Sequence, residues 1–480
     1  MRYFNTYGFI VLFGVFFLII LYKVIHVPVT TDEVPTVFFY SNFSFWQIMM
    51  YPDNIPNNHI LNTLLAKYCI AIFGKEQWAI RLPSMLSFIG FAYGVFRILK
   101  LTIKPHSYFW LPAAMLFINP YWLDFFGLCR GYAISTTMVT LSIWLLIEGF
   151  RYKKTMFIWL GLCSSILASY ANFSALIFWA ATSIIAWLYF FFKDNKNLMN
   201  IIKPSLIIFF ISLAYFALIL TPILKMNSTD EFQYWTSNGF YKETIKSLII
   251  NWWYDSTFLS TINYNFWALL IFLVLIINIY YLLRIFNNNK SPNSHYYSTL
   301  ITTALLLLSA TINIIQTKIL GTPNLNGRTA LLFLPLASTS FACVLGLIPS
   351  FKQKSIERTI AIFISFIFLV NLSHRVSLKK VKEWYYDQNT LEVIDFLKEK
   401  RNQDQEQLSL KTSWFFHPSF YFYSDAKKTP WIDLQPYDYA IDITTSAEYY
   451  YIFAKDYELL EPRFKIAYKF SDDRWLLEQK

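Results

Sequence analysis

One stretch limits every fold open to this chain. Residues 8–22, GFIVLFGVFFLIILY, carry no charge, and with their flanks they reach the ~20 residues that a helix needs to cross ~30 Å of hydrocarbon. Only a structure that satisfies its own backbone hydrogen bonds survives there, and a single segment does so only as a helix. The run is too long for a leader-peptide core and no small-residue cleavage site follows, so it reads as a retained signal anchor with a cytoplasmic N-terminus. Similar runs recur at 83–101, 107–123, 132–150, 155–171, 174–192, 204–224, 265–283, 297–317, 329–349 and 359–373, which makes about eleven spans. With 56% hydrophobic and only 15% charged residues, the composition excludes an ordinary soluble domain.

Charge then orients the chain. The alternate connections RILKLTIK, RYKK, KDNKNLMNIIK, RIFNNNK and FKQKSIER are the basic ones, as expected of cytoplasmic loops. An odd number of spans places residues 27–82, 225–264 and everything after 374 on the outer face. The net charge of +11 is thus mostly topology and does not point to nucleic acid, since no basic patch with interleaved aromatics occurs in a soluble part. The four cysteines, Cys69, Cys129, Cys163 and Cys343, show no paired spacing and suggest neither a disulfide framework nor a zinc site. A bacterial inner membrane is compatible with this pattern. The expected fold is an α-helical polytopic membrane protein with a small extracytoplasmic α/β domain.

Two parts follow from composition: a membrane domain over 1–374 and a water-exposed tail over 375–480. The tail predicts a helix in TLEVIDFLKEKRNQ and strands in LSLKTSW, YAIDIT, EYYYIFA and KIAYKF. Its Asp433, Asp438 and Asp442 read as solvated loop acids. The loop 27–82 is too long to be structureless, and HILNTLLAKYCIAIFG, bounded by Asn58-His59 and Gly74, predicts a helix lying along the outer interface. The loop 225–264, with FYKETIKSLIINWWYD, repeats an amphipathic piece outside. Trp46, Trp122, Trp235, Trp252 and Trp253 are expected in the interfacial aromatic belt.

The predicted spans hold almost no ionisable residue, which counts against ion-coupled transport. Charged groups gather on the outer side: Asp32, Glu33, Asp53, His59, Lys67, Arg81, Asp124, Arg130, Asp230, Glu231 and Arg328. Arg130 and Arg328 stand at helix mouths, where a planar guanidinium can bind phosphate with paired, charge-assisted hydrogen bonds. A partly desolvated carboxylate such as Asp32 can take a proton from an acceptor hydroxyl, while arginines stabilise a departing phosphate. Each residue has a plainer reading. Asp32 and Glu33 could cap a helix after Thr30 or Thr31, Asp124 and Arg130 could staple a turn, Arg81 could hold the loop helix, and Asp230-Glu231 reads as loop surface.

An Asp-Glu pair shortly after the first span, the loop helix opened by PNNHILNTLL, the segment FGKEQWAIRLPSMLSFIG leading into the next span, and an acid in the second outer loop together resemble the GT-C glycosyltransferases. The likeness is to the branch holding protein O-mannosyltransferases and the aminoarabinose transferases of lipid A. The resemblance implies transfer of a sugar, with inversion, from a polyprenyl-phosphate donor to a lipid, glycan or protein acceptor on the outer face. It places the first-loop catalytic acid at Asp32, with Glu33 beside it, and the second-loop acid at Asp124. The donor phosphate would meet Arg328, Arg130 and Arg81. His59 is kept as a possible substrate-binding residue, although the prolines that follow it in relatives are absent. The carboxylates suit Mg²⁺ or Mn²⁺, as some relatives use, and no metal is assigned. A polytopic transporter or flippase of lipid-linked glycans is the alternative, and it would need a polar route through the bilayer.

Overall fold

The computed structural model describes residues 2–104, 106–193, 198–228, 238–254, 264–288, 292–348, 353–401, 407–426 and 428–480. Among them, eight helices are long and apolar enough to cross a membrane: Thr6–His26, Gln77–Thr102, Gly131–Tyr152, Phe173–Lys193, Ile201–Met226, Tyr264–Asn287, Ser294–Leu320 and Lys354–Arg375. The expected count of eleven is not reached, for local reasons. Thr155–Ala171 has 17 residues and extends only about 26 Å. Phe333–Leu347 has 15, because the stretch before it is spent on a 3₁₀ turn, Gly327–Ala330, whose first residue has φ +53°. The expected span at 107–123 is no single helix. Proline disfavours helical backbone at the residue before it, so Asn119 is extended (φ −134°, ψ 138°) and ends the run. Its side chain accepts from the Tyr121 N–H at 2.9 Å and starts a second short helix, Pro120–Phe126, after Trp110–Met115.

The chain forms two compact units, one of Met1–Ile20, Phe43–Leu65 and Pro83–Val376, the other of Leu21–Asn42, Ala66–Leu82 and Ser377–Lys480. In the first, polar contacts gather helix termini at one end. The Arg97 guanidinium donates to Glu148 at 2.7 Å, so the C-terminal ends of Gln77–Thr102 and Gly131–Tyr152 share a side. The residues between them must therefore return across, and they do so through the two short helices. The same end holds His295, which bonds the Thr102 carbonyl at 2.9 Å, Lys104, which donates to the Ile348 carbonyl at 3.1 Å, and Glu357, which accepts from the Ser107 hydroxyl at 2.7 Å.

The second unit carries a five-stranded mixed sheet: β1 (Leu408–Thr412), β2 (Ile432–Leu434), β3 (Tyr449–Phe453), β4 (Phe464–Ser471) and β5 (Arg474–Gln479), in the order β2-β1-β3-β5-β4. β1 lies parallel to β2 and β3, while β5 is antiparallel to β3 and β4. Tyr450, Ile452, Leu460, Phe464 and Leu477 form its core. The expected tail helix runs Thr390–Lys400 and buries Val393, Ile394 and Leu397. YAIDIT is not a strand. Asp442 on that segment and Asp438 just before it instead meet Lys411 of β1, at 3.4 and 2.8 Å, and the chain stays irregular there.

Candidate functional site

In the second unit, the acidic pair ends up as two different things. The Glu33 side chain is fully buried and faces Arg81, which is equally buried; Nε donates to one carboxylate oxygen at 2.8 Å and Nη2 to the other at 2.7 Å. Arg81 spends its remaining donors on backbone carbonyls, Nη1 on Val24 (3.3 Å) and Val27 (2.7 Å), and Nη2 on Pro28 (2.8 Å). Glu33 also accepts from the Thr30 N–H at 2.8 Å and the Thr30 hydroxyl at 3.0 Å. With all five guanidinium N–H groups engaged, Arg81 is a clamp on the end of the first helix, and Glu33 is the acid that balances it. The capping reading describes Glu33; a phosphate would have to break this lattice to reach Arg81.

Asp32 is the half-buried member of the pair. It sits in the 3₁₀ turn Thr31–Glu33, whose flanking residues are tied down. The Thr31 N–H donates to Asp387 at 2.8 Å, and the Thr31 hydroxyl donates to the Phe415 carbonyl at 2.8 Å. Val29 donates its N–H to the Tyr423 hydroxyl at 3.0 Å, Tyr423 donates to Gln77 at 2.6 Å, and Ser419 donates to the Val29 carbonyl at 2.6 Å. Asp387 is buried. Its burial pushes its pKa well above the usual carboxylate range, against the Thr31 hydrogen bonds, with the charges of Asp32 and Glu33 adding to the rise. Neither Asp387 nor Tyr423 is legible as a site residue: each stands in an ordinary tail segment, 356 and 394 residues from the residue it bonds at the acidic turn.

In the first unit, Arg130 and Arg328 act on the same residue. His59 immediately precedes the helix Ile60–Phe73, and its Nδ1 bonds the Ala171 carbonyl at 3.0 Å, while the buried Nε2 has no hydrogen-bond partner. Burial lowers its pKa well below the usual value, and the positive charges of Arg130 and Arg328 lower it further. The ring is therefore neutral, with Nδ1 as the donor and Nε2 left as an acceptor. Arg130 is buried and donates from Nη1 to the Asn57 side chain and, at 3.3 Å, to its carbonyl. The close fit depends on Gly131: a Cβ there would lie 1.8 Å from the Ala171 carbonyl oxygen and 2.9 Å from the His59 Cβ. Tyr51 and Lys225 belong to this cluster and escaped sequence reading. Burial raises the Tyr51 pKa, which the Arg130 and Asp53 charges pull in opposite directions, and Lys225 donates to the Tyr51 carbonyl at 2.5 Å.

Asp124 lies in Pro120–Phe126, all of whose residues are buried, and accepts from the Tyr254 hydroxyl at 2.6 Å. Trp122 and Trp253 are core residues rather than members of an interfacial belt, whereas Trp46 is 63% exposed. Asp230, Glu231 and Trp235 lie outside the described residues. Among those described, no three His, Cys, Asp or Glu side chains converge as a metal site would need.

Eight long apolar helices among the described residues define a multi-pass membrane protein. No family model matches the chain, and no curated protein sequence matches it. Among solved structures it is similar to ArnT from Cupriavidus metallidurans in the apo state, at 10% identity over 98% of each chain with a TM-score of 0.49. It is also similar to the same protein bound to undecaprenyl phosphate, at 10% identity over 98% of each chain with a TM-score of 0.48.

Proposed function

We propose that this protein is a membrane glycosyltransferase that moves a sugar from a polyprenyl-phosphate carrier to a hydroxyl of a lipid, glycan or protein acceptor, with inversion. The observation that carries this reading is the turn at Asp32: a half-buried carboxylate a few residues past a membrane helix, with Glu33 locked by Arg81 and Thr31 locked by Asp387. So much fixed structure around one acid suits a group that must be held to within about 0.5 Å of a productive position. The ordered motif set, with Asp124 in the second loop, supports the same reading.

Asp32 takes the proton of the acceptor hydroxyl as its oxygen attacks the anomeric carbon. The bond from that carbon to the phosphate oxygen breaks, and polyprenyl phosphate leaves with the electron pair. Because one nucleophile displaces one leaving group, configuration inverts. From the sequence resemblance, Arg130 and Arg328 of the first unit are proposed for the donor phosphate, and His59 as a substrate-binding residue. Asp124, hydrogen-bonded to Tyr254, is the second candidate base. In this reading the reaction occurs on the outer face of a plasma membrane.

The test is a transfer assay with purified protein in lipid, a panel of polyprenyl-phosphate sugars and extracted membrane acceptors. Asp32→Asn is expected to lower kcat by about 10²–10⁴-fold, the range a general base supplies, with the fold intact. Equal turnover in both proteins would move the base to Asp124. Turnover of no donor by wild type would favour the flippase.

A further inference from the structure

The sheet of the second unit contains a topological switch point. From β1 the chain passes to β2 on one side, then returns to β3 on the other side of β1, both neighbours parallel to it. In parallel sheets the crevice outside the carboxyl ends of strands that diverge in this way is where ligands bind, because the loops leaving those strands part there. A cavity of about 470 Å³ lies at that place, lined by Tyr385, Tyr386, Phe415, Phe453, Lys455 and Asp473 among others. Phe415 follows β1, Phe453 and Lys455 end and follow β3, and Asp473 lies in the β4–β5 turn.

The walls are built rather than incidental. Arg474 is buried and donates to the Tyr385 carbonyl at 2.7 Å. It also lies 5.6 Å from the centre of the Tyr385 ring and 3.3 Å from the Asp473 carboxylate. One guanidinium thus fixes both an aromatic wall and the acid at the rim. Asp473 further accepts from the Ser471 hydroxyl at 2.7 Å, and Lys455 stands 5.6 Å from the Phe453 ring centre.

We infer that this cavity binds a saccharide, the sugar end of the acceptor in the transferase reading on which this assignment rests. Four aromatic side chains line it, and aromatic rings attract the polarised C–H groups of a pyranose, while one carboxylate and one ammonium offer an acceptor and a donor to its hydroxyls. The volume falls within the range of small-ligand sites. A peptide docking by strand addition needs a sheet edge, and β1 and β3 are interior strands. Two of the cavity's own segments also hold the Asp32 turn. Phe415 accepts from Thr31 through its carbonyl, and Asp387, just after Tyr385 and Tyr386, accepts from the Thr31 N–H.

Saturation-transfer NMR on the full chain in lipid nanodiscs tests this with chitobiose, mannobiose and lactose as probes. Wild type is expected to saturate the ring protons of at least one disaccharide, with the signal at least five-fold weaker in Phe453→Ala and in Asp473→Asn. Should Phe453→Ala fail to fold, Asp473→Asn decides, since it keeps the side-chain size. Absence of saturation for all three probes in wild type, or unchanged saturation in the folded variants, overturns the assignment. Kinetics separate it from the transferase reading. In both variants KM for the acceptor is expected to rise about ten-fold while kcat holds. Saccharide binding with no donor consumed by any protein would leave the cavity standing and sink the transferase; donor turnover with no saccharide bound would do the reverse.

Discussion

At the scale of single residues, the Glu33–Arg81 pair shows how a buried charge is made tolerable. Removing two ions from water costs several kcal/mol each, and only close geometry with further hydrogen bonds offsets it. Here both carboxylate oxygens and all five guanidinium donors have partners. Arg81→Ala is expected to destabilise the protein by about 3–5 kcal/mol, read as a fall in unfolding midpoint. The double variant Glu33→Leu/Arg81→Met should lose less than the sum of the single variants, because no lone charge is left buried. Asp387 predicts a pH effect. Its folded pKa is raised, so the folded state holds a proton that the unfolded chain releases above the ordinary carboxylate value. Its contribution is therefore greatest at low pH and is lost as pH rises through the raised pKa. Asp32 and Glu33, which face it, raise that pKa, and Arg81 neutralises Glu33. Asp387→Asn should flatten the fall in unfolding midpoint between acidic and neutral pH; an unchanged slope would mean that Asp387 is ionised in the fold.

Among elements, the short segments carry the informative departures. A proline after Asn119 breaks one apolar run into two short helices, and this places Asp124 on a buried helix rather than at the end of a long one. Gly131 opens the next helix, where Ala171 approaches so closely that no side chain fits. Gly131→Ala must push apart the Ala171 carbonyl and His59, at a cost of about 1–3 kcal/mol. It should also disturb the His59 ring more than a change on a lipid-facing position such as Phe209 does. Thermal unfolding and the imidazole NMR signals check both effects. Buried Ser and Thr recur in the helices Gly131–Tyr152, Ser294–Leu320 and Phe333–Leu347, where small polar residues allow close helix packing in lipid.

For the whole molecule, charge and contacts agree on one end of the membrane unit. The termini joined by Arg97–Glu148, His295–Thr102, Lys104–Ile348 and Ser107–Glu357 belong to the segments that carry the basic connections, whereas His59, Arg130 and Arg328 cluster elsewhere. Under the positive-inside rule, the proposed topology has the first end in the cytoplasm. A reporter active only outside the cytoplasm should work when fused after Lys480 and stay silent when inserted at Lys153–Lys154. The opposite pattern would invert the proposed topology.

Hydropathy sufficed for the multi-pass character of the chain and for most helix positions, because a lipid-exposed backbone has no alternative to the helix. The helix at Ile60–Phe73 was also legible, from Asn58-His59 before it and Gly74, with φ +78°, after it. Asp32, Arg130 and Arg328 stood out because charge is scarce in such a sequence. The partners of those residues were not legible. That Glu33 belongs to Arg81, that Asp387 and Tyr423 hold the acidic turn, and that Arg130 and Arg328 both bear on His59 follow from contacts between segments far apart in sequence. Local pattern reports which residues prefer water or lipid. Which carboxylate is buried against a guanidinium, and which stays half-exposed, is decided only when distant segments pack, since the cost of burying each charge depends on what the rest of the chain brings to meet it.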